Sequence, residues 1–265
     1  MIKRRIDGAL VAGIILAVLS PDLHGQTDAD RDKRQTVAKP ISIDMVRHDV
    51  KTGWRQVERK QDRVVYMGDP GDIHYMKLNQ GILDLPKFTE VEALQNHFRR
   101  LAQKEDGGII SVSILKLQGI DTVVYTTKEV RKQIRGYRYV SRCVIPVENS
   151  WFEVRMDAIE MTPAVGGRES VITVMIATDA EYEPIPLDAA ALPGIVPGKS
   201  TGQRIKGWFK DPFDPKFDSA AMCSVSDDKK YDKQFPDHPL SRLRKTFPDV
   251  LQQLQIDPSL GGPKK

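Results

Sequence analysis

The chain has 265 residues, of which 40% are apolar and 29% charged, with a formal net charge of +4. That balance is globular in composition and excludes an intrinsically disordered chain. Lys and Arg alternate with acids nearly everywhere, so the concentrated basic stripe of a nucleic-acid binder is absent and no nucleic-acid partner is expected.

Residues 1–25 read as a secretory signal peptide. Lys3, Arg4 and Arg5 form a positive start, Ala9 to Leu19 is an unbroken apolar run, and a cut is expected after Gly25. Eleven helical residues rise about 16 Å, roughly half of a ~30 Å hydrocarbon core, which is too short for a permanent span. No later apolar stretch approaches ~20 residues, so no stable membrane span is expected after cleavage. The expected location is the periplasm or the outside of the cell. Residues 26–62 read as a polar, partly disordered leader, within which 41–61 are ambiguous and Trp54 packs at the edge of a core.

The folded body is expected over residues 63–180. Val64–Met67 and Ile73–Leu78 are strand-like runs separated by the turn signal Gly68-Asp69-Pro70-Gly71. Thr89 and Glu92 have capping-box spacing, and Val91, Leu94, Phe98 and Leu101 form one apolar helical stripe. Four strand-like segments follow: Ile109–Leu117, Thr122–Val130, Tyr137–Val147 and Trp151–Ile159. Short turns between them predict an antiparallel meander. Arg168 to Thr178 is open between two readings: its β-branched residues favour a strand, its place after a sheet favours a covering helix. Residues 181–206 carry four prolines and read as a linker. Residues 207–265 read as an aromatic-anchored helical tail. In it Asp237 or His238 caps a helix beginning at Pro239, and Leu240, Leu243, Phe247, Leu251 and Leu254 form its apolar face, bent at Pro248.

The tail holds the most unusual local sequence. Asp211, Asp214, Asp218, Asp227, Asp228 and Asp232 with His238 invite a metal reading, but they lack the alternating Asp spacing and turn Gly of a calcium loop and the second His of a zinc set. Asp237, His238 and Ser241 name the residue types of a hydrolytic triad in one stretch, without the strained elbow such a serine needs. His74 and His97 stand alone, the first on a strand and the second on a helix. Phe213, Phe217, Tyr231 and Phe235 read as anchors that clamp the tail to the body. Asp211, Asp214, Tyr231, Asp232, Phe235, Asp237, His238 and Arg242 are therefore candidates for a functional or docking motif, with no catalytic, cofactor or metal residue assigned and no cofactor expected. Cys143 and Cys223 are an even pair that an oxidising compartment could bridge.

The tail from Asp211-Pro212-Phe213-Asp214 through Tyr231-Asp232 and Phe235-Pro236-Asp237-His238-Pro239-Leu240-Ser241-Arg242 resembles the ending of a group of uncharacterised exported bacterial proteins. Gly136-Tyr137-Arg138-Tyr139-Val140 and Gly167-Arg168-Glu169 look like further counterparts. That resemblance implies no activity and no residue roles. The order of helix then meander is similar to the Mog1/PsbP-type α/β/α sandwich, whose members bind or assist other proteins. The expected fold is α+β, an antiparallel sheet covered by helices with a helical appendage. The leading function is a non-catalytic binding or accessory protein of the cell envelope, with an unknown protein or small ligand as partner. Two alternatives come from other classes: a metal-dependent or hydrolytic enzyme using the Asp-rich tail and His238, and a disulfide-stabilised immunity or inhibitor protein.

Overall fold

The computed structural model describes residues 41–48, 53–68, 72–81, 83–105, 107–131, 136–160, 167–184, 203–214, 216 and 223–260. The signal peptide, residues 26–40, Phe217, Asp218 and most of the expected linker lie outside the described residues. In chain order the strands are β1 (Val46–His48), β2 (Arg55–Arg59), β3 (Arg63–Met67), β4 (Ile73–Gln80), β5 (Gly107–Leu117), β6 (Ile120–Arg131), β7 (Gly136–Val147), β8 (Ser150–Glu160), β9 (Tyr182–Pro184), β10 (Gln203–Ile205) and β11 (Leu254–Ile256). The helices are α1 (Val91–Lys104), α2 (Arg168–Ala177) and α3 (Pro239–Gln252).

Seven strands form one antiparallel sheet in the order β2-β3-β4-β8-β7-β6-β5. The expected meander is present as β5 to β8, each pair joined by a short connection. At the β5–β6 turn Gln118 and Gly119 both take positive φ, 47° and 90°, the twist that a two-residue hairpin loop requires.

Strand alternation sends side chains to two separate cores. On one face Leu94 and Phe98 of α1 pack with Ile109, Val123 and Val144. On the other, α3 presents Leu240, Leu243, Phe247, Val250 and Leu251 to Tyr139, Cys143, Ile145, Phe152, Val154 and Met156. Helices therefore cover both faces of the sheet, as the α+β expectation required.

Local details differ from the sequence reading. The N-cap of α1 is Glu90, with no side-chain capping bond, so the Thr89–Glu92 box is not formed. The buried stripe is Leu94, Phe98 and Ala102, while Val91 and Leu101 are 44% and 39% exposed. Spacing of i, i+4, i+8 follows the sheet better than the mixed stripe expected. Phe98→Ala should cost about 3–5 kcal/mol of unfolding free energy and Val91→Ala no more than about 0.5 kcal/mol, a contrast that urea denaturation reads directly.

The segment Arg168–Ala177 is a helix despite its β-branched residues, because tertiary burial of Arg168, Glu169, Ile172 and Thr173 overrides propensity. The stretch 41–62, expected to belong to the leader, is partly structural. Ile43, Met45 and Val46 are buried in the α3-side core, and β1 pairs with β11 near the far end of the chain. The ends of the expected linker also pair, as the hairpin-like β9 and β10.

Candidate functional site

Two polar assemblies tie the tail to the sheet. The first centres on Lys128. On β6 the side chains of Val124 and Val130 face the α3-side core, and Lys128 shares their parity. Its side chain is only 2% exposed. Nζ donates to Asp227 Oδ2 at 2.9 Å and to Ser224 Oγ at 3.1 Å, lies 3.7 Å from Glu169 Oε1, and sits 3.9 Å above the Tyr137 ring. Asp227 also accepts the Ser224 amide at 2.8 Å and the Tyr139 hydroxyl at 3.3 Å.

The electrostatics follow from this geometry. Burial opposes the charge on Lys128, but Asp227 and Glu169 outweigh it and push its pKa up. Burial likewise opposes ionisation of Asp227, and the Lys128 ammonium with the Ser224 amide overcomes it, so that carboxyl lies below its usual value. Glu169 is pushed up by burial, which Lys128 offsets only in part. An ammonium held protonated among acceptors has no lone pair to offer as a base or nucleophile.

The second assembly contains the motif residues. Arg168 of α2 donates from Nε to Ser226 O at 2.5 Å, from Nη1 to Asp232 Oδ1 at 2.9 Å and Ser241 Oγ at 2.8 Å, and from Nη2 to Asp228 O at 2.7 Å. Arg244 reaches the same Asp232 carboxylate at 3.0 Å and the Asp227 carbonyl at 2.7 Å. Arg242 grips Asp72 with both Nη2 and Nε, at 2.7 and 3.2 Å, and donates to the Asp237 carbonyl. His238 is the N-cap of α3: its Nδ1 accepts the Leu240 amide at 3.2 Å, its Nε2 lies 3.4 Å from Glu160, and its ring meets Tyr139 edge-on. Asp237 contributes its carbonyl, and the residue is exposed.

The remaining motif residues lie elsewhere. Asp211 receives a two-pronged bond from Arg99 of α1 at 2.7 and 2.8 Å and holds the amides of Phe213 and Asp214. Asp214 accepts the Lys216 amide. Tyr231 and Phe235 pack on a third apolar cluster of Ile172, Ile205 and Trp208, and Phe213 packs on the α1-side core. Among the described residues no three His, Cys, Asp or Glu side chains converge as a metal set.

Cys143 and Cys223, a pair that could bridge, are both free and buried in this structure. Cys143 packs in the α3-side core, and Cys223 donates from Sγ to Ile109 O. Burial pushes both thiols up, Cys143 to about 12, which leaves them unreactive at neutral pH.

His74, expected to stand alone, has three aromatic neighbours. It is fully buried, stacked on Tyr66 with ring centroids 5.5 Å apart and met edge-on by His48 at 4.9 Å and Trp54 at 5.8 Å. Nδ1 lies 3.1 Å from Arg155 O. A carbonyl only accepts, so Nδ1 carries the proton. Burial, helped by His48, lowers the His74 pKa to about 3. Between the unfolded value near 6.5 and about 3 the unfolded chain binds a proton that the fold refuses. The His74 contribution to stability is thus complete above about pH 6.5 and declines as pH falls, by up to about 1.4 kcal/mol per pH unit. Urea titrations from pH 7 to 4 should show a shallower slope for His74→Asn than for the unsubstituted protein.

Beside the first assembly lies a cleft of about 270 Å³, with Lys210, Asp228, Lys229 and Arg244 among its lining residues and Cys223 and Asp227 contributing to its wall. A second cleft of about 290 Å³ lies among Asp44, Arg47, His48, Arg59 and Tyr66. The reading from sequence missed Lys128 and noted Arg168 and Glu169 only within a resemblance, without a role. The available signal was a lysine at a core-facing position of a strand and an Arg-Glu pair opening an apolar segment.

No family model matches the chain, and no curated protein matches it. Similar solved structures include the Ran-binding protein Mog1p of Saccharomyces cerevisiae, 12% identical, with a TM-score of 0.34 over 51% of this chain and 78% of that one. They also include LpqN of Mycobacterium tuberculosis, described as involved in cell envelope biogenesis, 15% identical, with a TM-score of 0.29 over the same shares of the two chains.

Proposed function

We propose that the chain is an exported, non-catalytic binding or accessory protein of the cell envelope, acting on a protein partner. The supporting observation is the internal use of the tail motif. Asp211 pairs with Arg99, Asp232 with Arg168 and Arg244, and Arg242 with Asp72. These side chains hold the tail in place and are committed to one another. The enzyme reading centred on His238 has less support, since Nδ1 is spent on the helix cap and Nε2 faces Glu160.

The two clefts among the described residues, about 270 and 290 Å³, border polar side chains of the tail and of β1. Export rests on the N-terminal segment.

Mass spectrometry of the protein recovered from its host checks the first half: a mature N-terminus at Gln26 is expected, and a retained Met1 would count against export. Metal analysis of the same material checks the second. A stoichiometric ion, lost when Asp237 and His238 are both changed to Ala, would replace this reading with the metal-enzyme one.

A further inference from the structure

The two edges of the seven-stranded sheet are built differently. At one end β2 is five residues long, interrupted by an irregularity between Gln56 and Glu58, and carries Arg55, Glu58 and Arg59. Short length, a bulge and charge are the devices that stop a sheet edge from pairing with another chain. At the other end β5 runs eleven residues, and among the described residues it pairs only with β6. From Gly107 to Leu115 it contains no charge and no proline.

The start of β5 is already engaged. Its bulge lies between Ile109 and Ser111, and Cys223 donates to Ile109 O. The stretch Ser111-Val112-Ser113-Ile114-Leu115 follows. Ser111, Ser113 and Leu115 are exposed, Leu115 at 40%, on the face opposite α1, while Val112 and Ile114 are half-buried against the α1-side core.

We infer that β5 is the interface for a second copy of this chain, joining two sheets edge to edge about a two-fold axis at Ser113. The argument is self-complementarity. With Ser113 opposite its own counterpart, Leu115 faces Ser111 of the other copy and Val112 faces Ile114. Large meets small on the exposed face and aliphatic meets aliphatic on the α1 face. No like charges are brought opposite one another, and the outward amides and carbonyls of each edge meet the carbonyls and amides of the other. A two-fold arrangement of this kind is closed, so pairing stops at two copies, because the other edge is blunted. The pairing uses neither the clefts nor the tail, so its failure would leave the binding function above intact.

Analytical ultracentrifugation of the full chain should show a concentration-dependent dimer. Ser113→Lys, which sets two ammonium groups across the axis, should raise the dimer Kd by at least about tenfold. Val57→Lys on β2 should leave it unchanged. On mild oxidation Ser113→Cys should cross-link into dimers while Ser111→Cys, facing Leu115, should not. A monomer at all concentrations, or a dimer that persists in Ser113→Lys, would overturn the proposal. A monomer whose β5 instead takes up an extended segment of another protein would overturn it as well. Should Ser113→Lys fail to fold, hydrogen exchange on the unsubstituted chain decides. Protection of the 111–115 amides that rises with protein concentration supports the pairing, and protection that does not change refutes it.

Discussion

Lys128→Met is expected to lower the unfolding free energy by about 3–5 kcal/mol, the range for removing one partner of a buried ion pair. The loss does not come from shortening a contact. Asp227 stays buried, with its carboxylate still aimed at the position the ammonium held, and Glu169 lies beside it. Two buried acidic groups would then have lost the one ammonium that touches both, and one is driven to take up a proton or draw in water. The remedy is to remove the charge on both sides. The double variant Lys128→Met with Asp227→Asn should be more stable than Lys128→Met alone, giving a coupling of about 1–3 kcal/mol in a double-mutant cycle. Urea denaturation of the four proteins measures it. A Lys128→Met loss under about 1 kcal/mol would mean that water reaches the cluster.

Arg168→Lys should cost about 2–4 kcal/mol even though the charge is retained. The guanidinium feeds four acceptors on three separate pieces of the tail: the carbonyls of Ser226 and Asp228, the Asp232 carboxylate and the Ser241 hydroxyl. An ammonium on a different stem has three donors and no planar fork, so some of these buried acceptors lose their partner. The expected signature is local. Hydrogen exchange should speed up over residues 226–242 while β6, β7 and β8 keep their protection, because the sheet ladder and the α1-side core do not depend on Arg168. Uniform acceleration across the sheet would show that the tail and the sheet unfold as one unit.

The central sheet was legible because alternation, turn residues and strand length agreed from Gly107 to Glu160. Four strands in succession with short turns admit few arrangements. The α3 helix was legible for a similar reason: Pro239 fits its first position, His238 precedes it as the cap, and the apolar spacing is regular. What was not legible depends on residues far apart in sequence. Nothing near Lys128 announces Asp227, 99 residues away, and nothing near Arg168 announces Asp232 or Ser241. A helix at 168–177 likewise defies its β-branched content because its reason is a docking surface elsewhere in the chain.

The candidate motif illustrates the same limit. Its residue types were readable as polar groups of unusual density, and their composition allowed metal, catalysis or docking. Only the partners decide among those uses. Asp72 and Arg99 are the partners of Arg242 and Asp211, and neither carries a local signal of that role. The histidines mislead in the opposite sense, since strand position alone does not reveal that Tyr66, His48 and Trp54 surround His74.

The pairing of β1 with β11 has a kinetic meaning. Val46 lies opposite Ile256, the Asp257 amide donates to Met45 O at 2.7 Å, and Gln118 at the β5–β6 turn binds β11 through both its amide groups. The first described strand therefore waits for residues about 200 positions further along the chain before it has a partner. Closing so long a loop is an entropic cost met late and a source of slow folding. Under the proposed export, a chain threaded from its N-terminus would complete this pairing only after Ile256 had crossed.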